Sequence, residues 1–471
     1  MQGVRHEGPN HDSVGSMKPH SGRGIVDESS PSLESCIERA LRLVGPKYGL
    51  IQNVEFESLE PGEPQVFFAR TFPSARSPLN NQKSINFGDA VSTNPQRAAI
   101  KSLGECIERY ASAYIEDEKL GEGTHSCLSE ASRVTPIGLE SLNYFTDEQY
   151  TSPEFPFSRL SADTTTQWVK CLPLGRGEPK LVPAQLVFVP FPNDKYGDVR
   201  LCDQISTGMA CSPDKISSII KGILEVIERD AFMIHWLRRI HPPEIEINNV
   251  RLSITKDLLK ALNSLQVSAR FYLLTLDINA HVILIWLENQ SGVPPFTVMG
   301  LGADLDPEKA LILALEETLL TFIGMGRYAR ANPDFTVGDH FKNIVTPTLH
   351  ALAHAVRPEL KNALEFLREP AGTVKFDELV SSVNLSDKNE CLDFLVREVE
   401  RQDLEPLYFN LTTEDIKFAG FQVARVVIPG MQPLDVNHNF RHLGVHRHLE
   451  VPEKLELRCQ NEINPFPHPF P

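Results

Sequence analysis

Apolar positions along the chain follow two periods. In SLESCIERALRLV (32–44) they recur at helical spacing, which predicts a helix. QVFFARTF (65–72), KLVPAQLVFVPF (180–191), ARFYLLTLDI (269–278) and HVILIWLEN (281–289) are apolar, β-branched or aromatic, and predict strands. Only Asn279 and Ala280 separate the last two, which predicts an antiparallel hairpin. Long helical patterns lie between the strands, so the expected class is α+β. Residues 333–405 read as mostly helical and charged, as an insertion would. Residues 1–30 have almost no apolar periodicity and read as a flexible leader. The end, NEINPFPHPFP, alternates proline to the last residue.

One block recurs three times: FGDAVSTNPQRAAIKSLGECIERY (87–110), STGMACSPDKISSIIKGILEVIERDAF (206–232) and MGLGADLDPEKALILALEETLLTF (299–322). In each, a glycine stands 17 residues before a glutamate: Gly88 and Glu105, Gly208 and Glu225, Gly300 and Glu317. Each also holds a polar residue followed by proline: Asn94-Pro95, Ser212-Pro213, Asp306-Pro307. That pair marks a helix start, because the polar side chain caps free amides and proline needs no partner at the first helical position.

Glu105 and Glu108 share one helix face, and so do Glu225 and Glu228. Paired acids repel, so a cation is expected between them. Arg109 and Arg229 sit about 100° further round and need not neutralise their neighbours. Mg2+ takes oxygen ligands and is commonly shared between carboxylates and phosphates. A solvated helix face is the competing reading, since CIER also occurs at 36–39. Apolar neighbours of Glu105 and Glu225 favour the functional one.

Acidic residues number 62 against 46 basic, a net charge of −16, which disfavours nucleic acid and anionic membranes as partners. Hydrophobic residues make up 41%, enough for a sizeable core. No segment reaches the roughly 20 apolar residues of a membrane span. The start has no apolar signal region, and a cytoplasmic location is expected. The eight cysteines form no CxxC pair, and Cys106 and Cys211 are expected to be buried thiols. His438, His442, His446 and His448 have a spacing that could bind zinc on a helix, but Gly444 argues against a continuous helix. A phosphate-facing role for Arg441 or Arg447 is an equal expectation.

With LGECIERY, STGMACSPDKISSIIKGILEVIERDAF and GLGADLDPEKALILALEE, the chain resembles the YcaO family of ATP-dependent enzymes that modify backbone amides. The resemblance covers about residues 60–471. It implies a YcaO-like fold, with mixed and antiparallel sheets flanked by helices and repeated strand-turn-helix blocks. It divides the chain into a leader and first helix (1–50), an ATP-binding catalytic domain (51–462) and a proline-rich tail (463–471). Its implied cofactors are ATP and Mg2+. Glu105, Glu108, Glu225 and Glu228 would hold Mg2+. Arg229 would contact the phosphates, Ser206 would lie near the nucleotide, and Glu317 would be a ligand from the third block.

Azoline-forming members typically end in a proline-rich tail near the active site, and this chain looks like them. Proline alternation favours a stiff polyproline II strand that docks at low entropic cost. Pro467, Pro469 and Pro471 are therefore the expected catalytic segment, with the terminal carboxylate as base or positioning element. The implied activity is ATP-dependent cyclodehydration of a ribosomal precursor peptide. The implied partners are a separate leader-recognition protein resembling ubiquitin-activating enzymes and an FMN-dependent azoline dehydrogenase, with the chain a homodimer in the complex. Backbone thioamidation and a non-catalytic peptide-docking scaffold are the alternatives. The sequence departs from the family pattern in four places. Ala90-Val91-Ser92 stands for a Gly-Lys-Gly turn, Thr207 for asparagine, Ser217 for glutamate and Leu320 for glutamine.

Overall fold

The computed structural model describes residues 31–45, 49–74, 87–131 and 133–471; the leader expected over 1–30 lies outside them. The described chain carries three sheets. The first is an antiparallel meander of β1 (Ile51–Glu57), β2 (Phe67–Pro73) and β3 (Gly88–Ser92). The second adds β4 (Gly121–Thr124), β5 (Thr135–Pro136), β6 (Thr165–Pro173), β7 (Lys180–Pro183) and β8 (Met209–Ser212) to β14 (Leu407–Asn410) and β15 (Gln422–Val427). Its order is β5-β7-β6-β14-β15-β8, with β4 paired to β6. The third, in the order β12-β11-β10-β9-β13, comprises β9 (Glu244–Glu246), β10 (Val267–Leu273), β11 (His281–Asn289), β12 (Thr297–Asp304) and β13 (Thr373–Lys375). The β5–β7 and β9–β13 pairs are parallel and the other pairs antiparallel. The class is the mixed α+β one expected.

A short helix α1 (Leu33–Ala40) opens the described chain. The three repeated blocks then supply the long helices α2 (Pro95–Ala113), α3 (Lys215–Arg238) and α4 (Pro307–Ala331). Their strands β3, β8 and β12 are each the end strand of a different sheet. Every helix packs on its own strand and on the next block's: α2 on β3 and β8, α3 on β8 and β12, α4 on β12 and β3. The blocks thus close a ring of three sheet edges.

The glycines of the first and third blocks permit that packing. A Cβ on Gly88 would lie 2.0 Å from the Ser102 carbonyl of α2, and one on Gly300 would lie 2.4 Å from the Thr318 nitrogen of α4. No side chain fits at that approach. Two helix starts are the expected ones: Asn94 Oδ1 accepts from Arg97 N at 3.0 Å, Asp306 Oδ1 accepts from Glu308 N at 3.0 Å, and a proline follows each cap. The third differs. Ser212 ends β8, and the cap is Asp214, which accepts from Ser217 N at 2.8 Å.

The third sheet lies between two of these helices. Val282, Leu284 and Trp286 of β11 join the core formed with Ile223, Ile227 and Leu237 of α3. Ile283, Ile285 and Leu287 join the core formed with Leu311, Leu315 and Leu319 of α4. The continuous apolar run of β11 is therefore a strand buried on both faces.

Three expectations need correction. The strand expected over 180–191 stops at Pro183 and becomes a 3-10 turn, Ala184–Leu186; Pro190 and Pro192 have no N–H for a ladder. β10 and β11 do pair as a hairpin, but their connection runs from 274 to 280. Residues 333–405 hold the helices α5 (Pro347–Val356) and α6 (Lys388–Glu400), yet they also give β13 to the third sheet, so they are built into the fold. Among the described residues no helix is long and apolar enough to cross a membrane.

Candidate functional site

The repeated acids meet inside the ring. Glu105 Oε2 accepts the Asp89 N–H at 2.8 Å, and Glu225 Oε2 accepts the Gly208 N–H at 3.1 Å. In the first two blocks the first glutamate thus grips the backbone at its own glycine, Glu105 at the residue after Gly88 and Glu225 at Gly208 itself, which accounts for the shared spacing there. The second glutamate reaches onward to the next block. Glu108 Oε1 accepts the Cys211 N–H of β8 at 2.6 Å, and Glu228 accepts from the Ala303 backbone of β12.

Burial and like charge dominate the electrostatics. Burial raises Glu108 to about 8, with Glu225 and Glu105 adding to the rise. Burial raises Glu228 to about 7; Arg229 opposes the rise, and Glu225 and Glu317 add to it. Glu225 and Glu317 are also raised, first by burial. Four crowded carboxylates that resist ionisation form a place for positive charge. The arginines supply part of it, contrary to the helical-wheel expectation. Arg109 pairs with Glu105 at i, i+4, and Arg229 lies 3.7 Å from Glu225 and 3.3 Å from Glu228.

Among the described residues, no three His, Cys, Asp or Glu side chains are gathered to hold a metal by themselves. The carboxylates stand as neighbouring pairs, the arrangement that suits Mg2+, which keeps waters and takes few protein ligands beside substrate phosphates. Buried Arg229 Nη1 faces Glu228 Oε1 at 3.3 Å without a well-directed hydrogen bond, which leaves its N–H able to turn to an anion at the same place. These residues fit a Mg2+-bound polyphosphate.

The proline tail runs along α3 and ends at this arginine. Trp236 Nε1 donates to the Phe466 carbonyl at 3.3 Å, and the Asn464 N–H donates to the Leu237 carbonyl at 2.9 Å. His354 Nε2 lies 2.8 Å from the Pro467 carbonyl, and the His468 ring stacks on His350 at 4.0 Å. Pro467 and Pro469 are buried and Pro471 is half-buried. Phe470, 1% exposed, places its ring 4.2 Å from the Arg229 guanidinium carbon. Ser206 sits exposed in the turn before Gly208. Of the departures, Ser217 caps its own helix through Asp214, and Leu320 packs against the core between α4 and the third sheet.

The sequence reading missed Arg425. It is buried in β15, where Nη1 donates to the Thr207 carbonyl at 2.6 Å while Nε and Nη2 donate to the Leu186 carbonyl. It fixes the Ser206–Gly208 turn and, with Thr207, Gln432 and Tyr144, lines a cavity of about 90 Å3 beside it. Burial lowers it to about 10. The available signal was an arginine in the apolar run FQVARVVI.

Other candidates have structural duties. The 438–446 segment is not helical; His442 pairs with Asp435 at 3.1 Å and His446 is exposed. Arg447, on α7 (Arg447–Lys454), is spent on Asp230 and Asp277, and Arg441 Nη1 donates to the Asn464 carbonyl. Cys106 and Cys211 are free and buried as expected, and burial pushes the Cys106 thiol up to about 12.

Known proteins share this fold. The family model described as YcaO cyclodehydratase, ATP- and Mg2+-binding, matches residues 91–432. An uncharacterised protein of Methanothermobacter thermautotrophicus is 26% identical over 272 residues, 58% of this chain and 67% of that protein. A heterocyclase solved with substrate and cofactor superposes with a TM-score of 0.74 at 20% identity over 93% of this chain; the chain spans 57% of it. YcaO from Methanopyrus kandleri, bound with AMPPCP and Mg2+, superposes with a TM-score of 0.59 at 24% identity, covering 85% of this chain and 90% of that one. The E. coli microcin synthetase McbBCD complex gives 0.52 at 15% identity, covering 80% and 87%.

Proposed function

The chain belongs to the YcaO family of ATP- and Mg2+-binding cyclodehydratases, and on that premise we propose that it is the ATP-using subunit of a peptide azoline-forming cyclodehydratase. A Cys, Ser or Thr side chain of the substrate peptide loses its proton and attacks the preceding backbone carbonyl carbon. The oxygen of that hemiorthoamide takes the γ-phosphoryl group of ATP, and ADP leaves. The C–O bond then breaks, phosphate departs, and the amide nitrogen gives up its proton to leave the C=N bond of the ring. An amide oxygen is a poor leaving group, and phosphorylation removes that obstacle.

The observation that carries this reading is the ring itself: paired glutamates from two repeated helices, presented at sheet edges, with Arg229 between them and the tail. Glu105, Glu108, Glu225 and Glu228 hold Mg2+, which neutralises charge on the phosphates. Arg229, Ser206 and Glu317 contact the nucleotide. The segment with Pro467, Pro469 and Pro471 orients the reacting peptide beside Arg229. The substrate is a ribosomal precursor peptide, brought by a separate leader-recognition protein resembling ubiquitin-activating enzymes. An FMN-dependent dehydrogenase then oxidises azoline to azole in the same assembly.

The test uses the full chain with peptide, leader-recognition partner, Mg2+ and ATP, run with and without added sulfide. Peptide-dependent ADP release and loss of one water per ring are expected. Exchange of oxygen for sulfur at equal ADP release would establish thioamidation instead. No peptide-dependent ADP release would overturn the enzymatic reading in favour of a docking scaffold.

A further inference from the structure

The cavity beside Arg425 shares a wall with the carboxylate ring. Thr207 and Val226 line it, and their chain neighbours Gly208 and Glu225 meet at the ring, 3.1 Å apart. Residues 428–433, after β15, form another wall. That segment also reaches the tail. Met431 shares a core with Phe470, and Asp435, two residues further on, offers its carbonyl 2.8 Å from His468 Nε2. The cavity therefore has the acids behind one wall and the proline tail behind another.

Several polar side chains of the lining are already spent on the protein. Gln185 donates to the Val199 carbonyl and accepts from the Leu201 N–H, both at 2.9 Å. Gln204 is held by Phe191 and Asn193, and Arg425 by the carbonyls of Leu186 and Thr207. Gln432 is different. Its Nε2 donates to the His442 carbonyl at 2.9 Å, which fixes the amide, and its Oε1 is buried without a partner in a residue 1% exposed. An acceptor left bare in a low dielectric is unfavourable, and a ligand that brings a donor relieves the cost. Asp203 also lines the cavity, 17% exposed and 3.3 Å from Arg200. Burial leads the influences on its carboxyl and raises it above the usual carboxylate range. An acidic ligand would meet Asp203 and a basic one Arg425, so the fitting ligand is neutral. Leu186, Ile205, Val226 and Met431 make much of the remaining lining apolar. The ligand is thus a neutral group with an N–H or O–H at the end of an apolar stem.

We propose that this cavity is a specificity pocket for the substrate peptide. It takes the side chain that precedes the reacting Cys, Ser or Thr, a neutral side chain whose N–H or O–H donates to Gln432 Oε1. The proposal rests on the reading of the chain as a peptide cyclodehydratase. The preceding residue supplies the carbonyl that is attacked and phosphorylated, so its side chain lies close to the phosphoryl group and outside the ring being formed. A pocket between the acids and the tail is placed for that side chain.

The experiment uses the full chain with Mg2+ and a non-hydrolysable ATP analogue. Calorimetry measures the affinity of three capped tetrapeptides, Gly-Asn-Cys-Gly, Gly-Asp-Cys-Gly and Gly-Leu-Cys-Gly, with melting temperatures recorded alongside. The three variable side chains are close in size and shape and differ in what they donate. The Asn peptide should bind about tenfold more tightly than the other two. In Gln432→Leu that preference should vanish while affinity for the analogue stays unchanged. Ile205→Phe narrows the cavity from a half-buried position and leaves Gln432 in place. It should weaken all three peptides and not the analogue, and it carries the test where Gln432→Leu fails to fold. Equal affinity for the three peptides, or a preference that survives in Gln432→Leu, would overturn the pocket. Loss of analogue affinity in Ile205→Phe would assign the cavity to the nucleotide and overturn it as well. A wild-type chain that binds the analogue and no peptide would overturn the pocket and leave the ATP site standing. One that binds neither would overturn the reading on which the pocket rests.

Discussion

The Arg229 guanidinium covers the Phe470 ring at 4.2 Å, so the arginine that neutralises Glu225 and Glu228 also touches the proline tail. A cation on an aromatic face contributes about 0.5–2 kcal/mol when desolvated. Phe470→Leu keeps most of the buried volume and loses this contact. Turnover should drop several-fold with only a small change in melting temperature. Deleting residues 467–471 should reduce turnover much further. Undiminished turnover in a deleted chain with native circular dichroism would refute the role of the tail.

The crowded acids predict an inverse pH dependence of stability. Glu108 is raised to about 8 and Glu228 to about 7, so the folded chain keeps protons that the unfolded chain has released. The sign follows: without Mg2+ and nucleotide, the contribution of these two acids to stability is complete below the ordinary carboxylate range and is lost as pH rises through 7 to 8. The slope is at most about 1.4 kcal/mol per pH unit for each group. Mg2+ with a non-hydrolysable ATP analogue should reverse it, raising the melting temperature more at pH 8 than at pH 6. Glu108→Gln and Glu228→Gln should flatten the ligand-free profile. An unchanged slope in both variants would remove these acids as its cause.

The repeated device was legible in the sequence because it is local. Glycine, cap and glutamate sit within one strand-turn-helix block, and in the first two blocks the shared spacing reflects a glutamate reaching back to the backbone at its own glycine, as Glu105 does to Asp89 and Glu225 to Gly208. The onward links from Glu108 to Cys211 and from Glu228 to Ala303 join residues of different blocks, and no periodicity announces them. The pairing of Arg229 with Glu225 is an i, i+4 contact on one helix face, which a comparison of Arg229 with the adjacent Glu228 alone overlooks. Arg425 was missed because its partners are backbone carbonyls of Leu186 and Thr207, far away in sequence. The stop at Pro183 could have been read from the prolines that follow it.

Arg447 ties the end of the second block to the rest of the chain. Its Nε and Nη2 donate to both oxygens of Asp230 at 2.8 and 2.7 Å, and Nη2 also meets Asp277 at 2.8 Å, with all three side chains under a tenth exposed. Removing one partner leaves buried charges unpaired, which costs about 3–5 kcal/mol. Arg447→Met should therefore lower the melting temperature by many degrees. Nucleotide affinity per folded molecule should not change, as measured by calorimetry on the folded fraction. A selective loss of ATP affinity at wild-type stability would restore the phosphate-facing role that the sequence allowed for this arginine.

Four buried histidines meet at the tail, His468 within it and His350, His354 and His438 against it, and burial lowers all four below the ordinary imidazole range; His354 and His438 fall to about 4. Arg441 and Arg229 add to the lowering at His438 and His468, and Asp435 opposes it. A group whose folded pKa is depressed gives stability that is complete above its unfolded pKa, near 6.5, and is lost as pH falls toward 4. The tail should therefore loosen below about pH 6, and the indole of Trp236, bonded to the Phe466 carbonyl, should report it by fluorescence in a chain with Trp168 and Trp286 replaced by Phe. The histidines differ in a second way. His354 Nε2 holds the Pro467 carbonyl, whereas the His350 ring nitrogens form no well-directed hydrogen bond in a fully buried site. Replacing a poorly bonded buried polar ring with an apolar ring of similar shape costs little, and removing a well-bonded one is costly. His350→Phe should raise or preserve the melting temperature and move the fluorescence transition to lower pH. His354→Phe should lower the melting temperature by the equivalent of about 1–3 kcal/mol. Equal destabilisation by both would mean that His350 is held by a bond as strong as the one His354 makes to the tail.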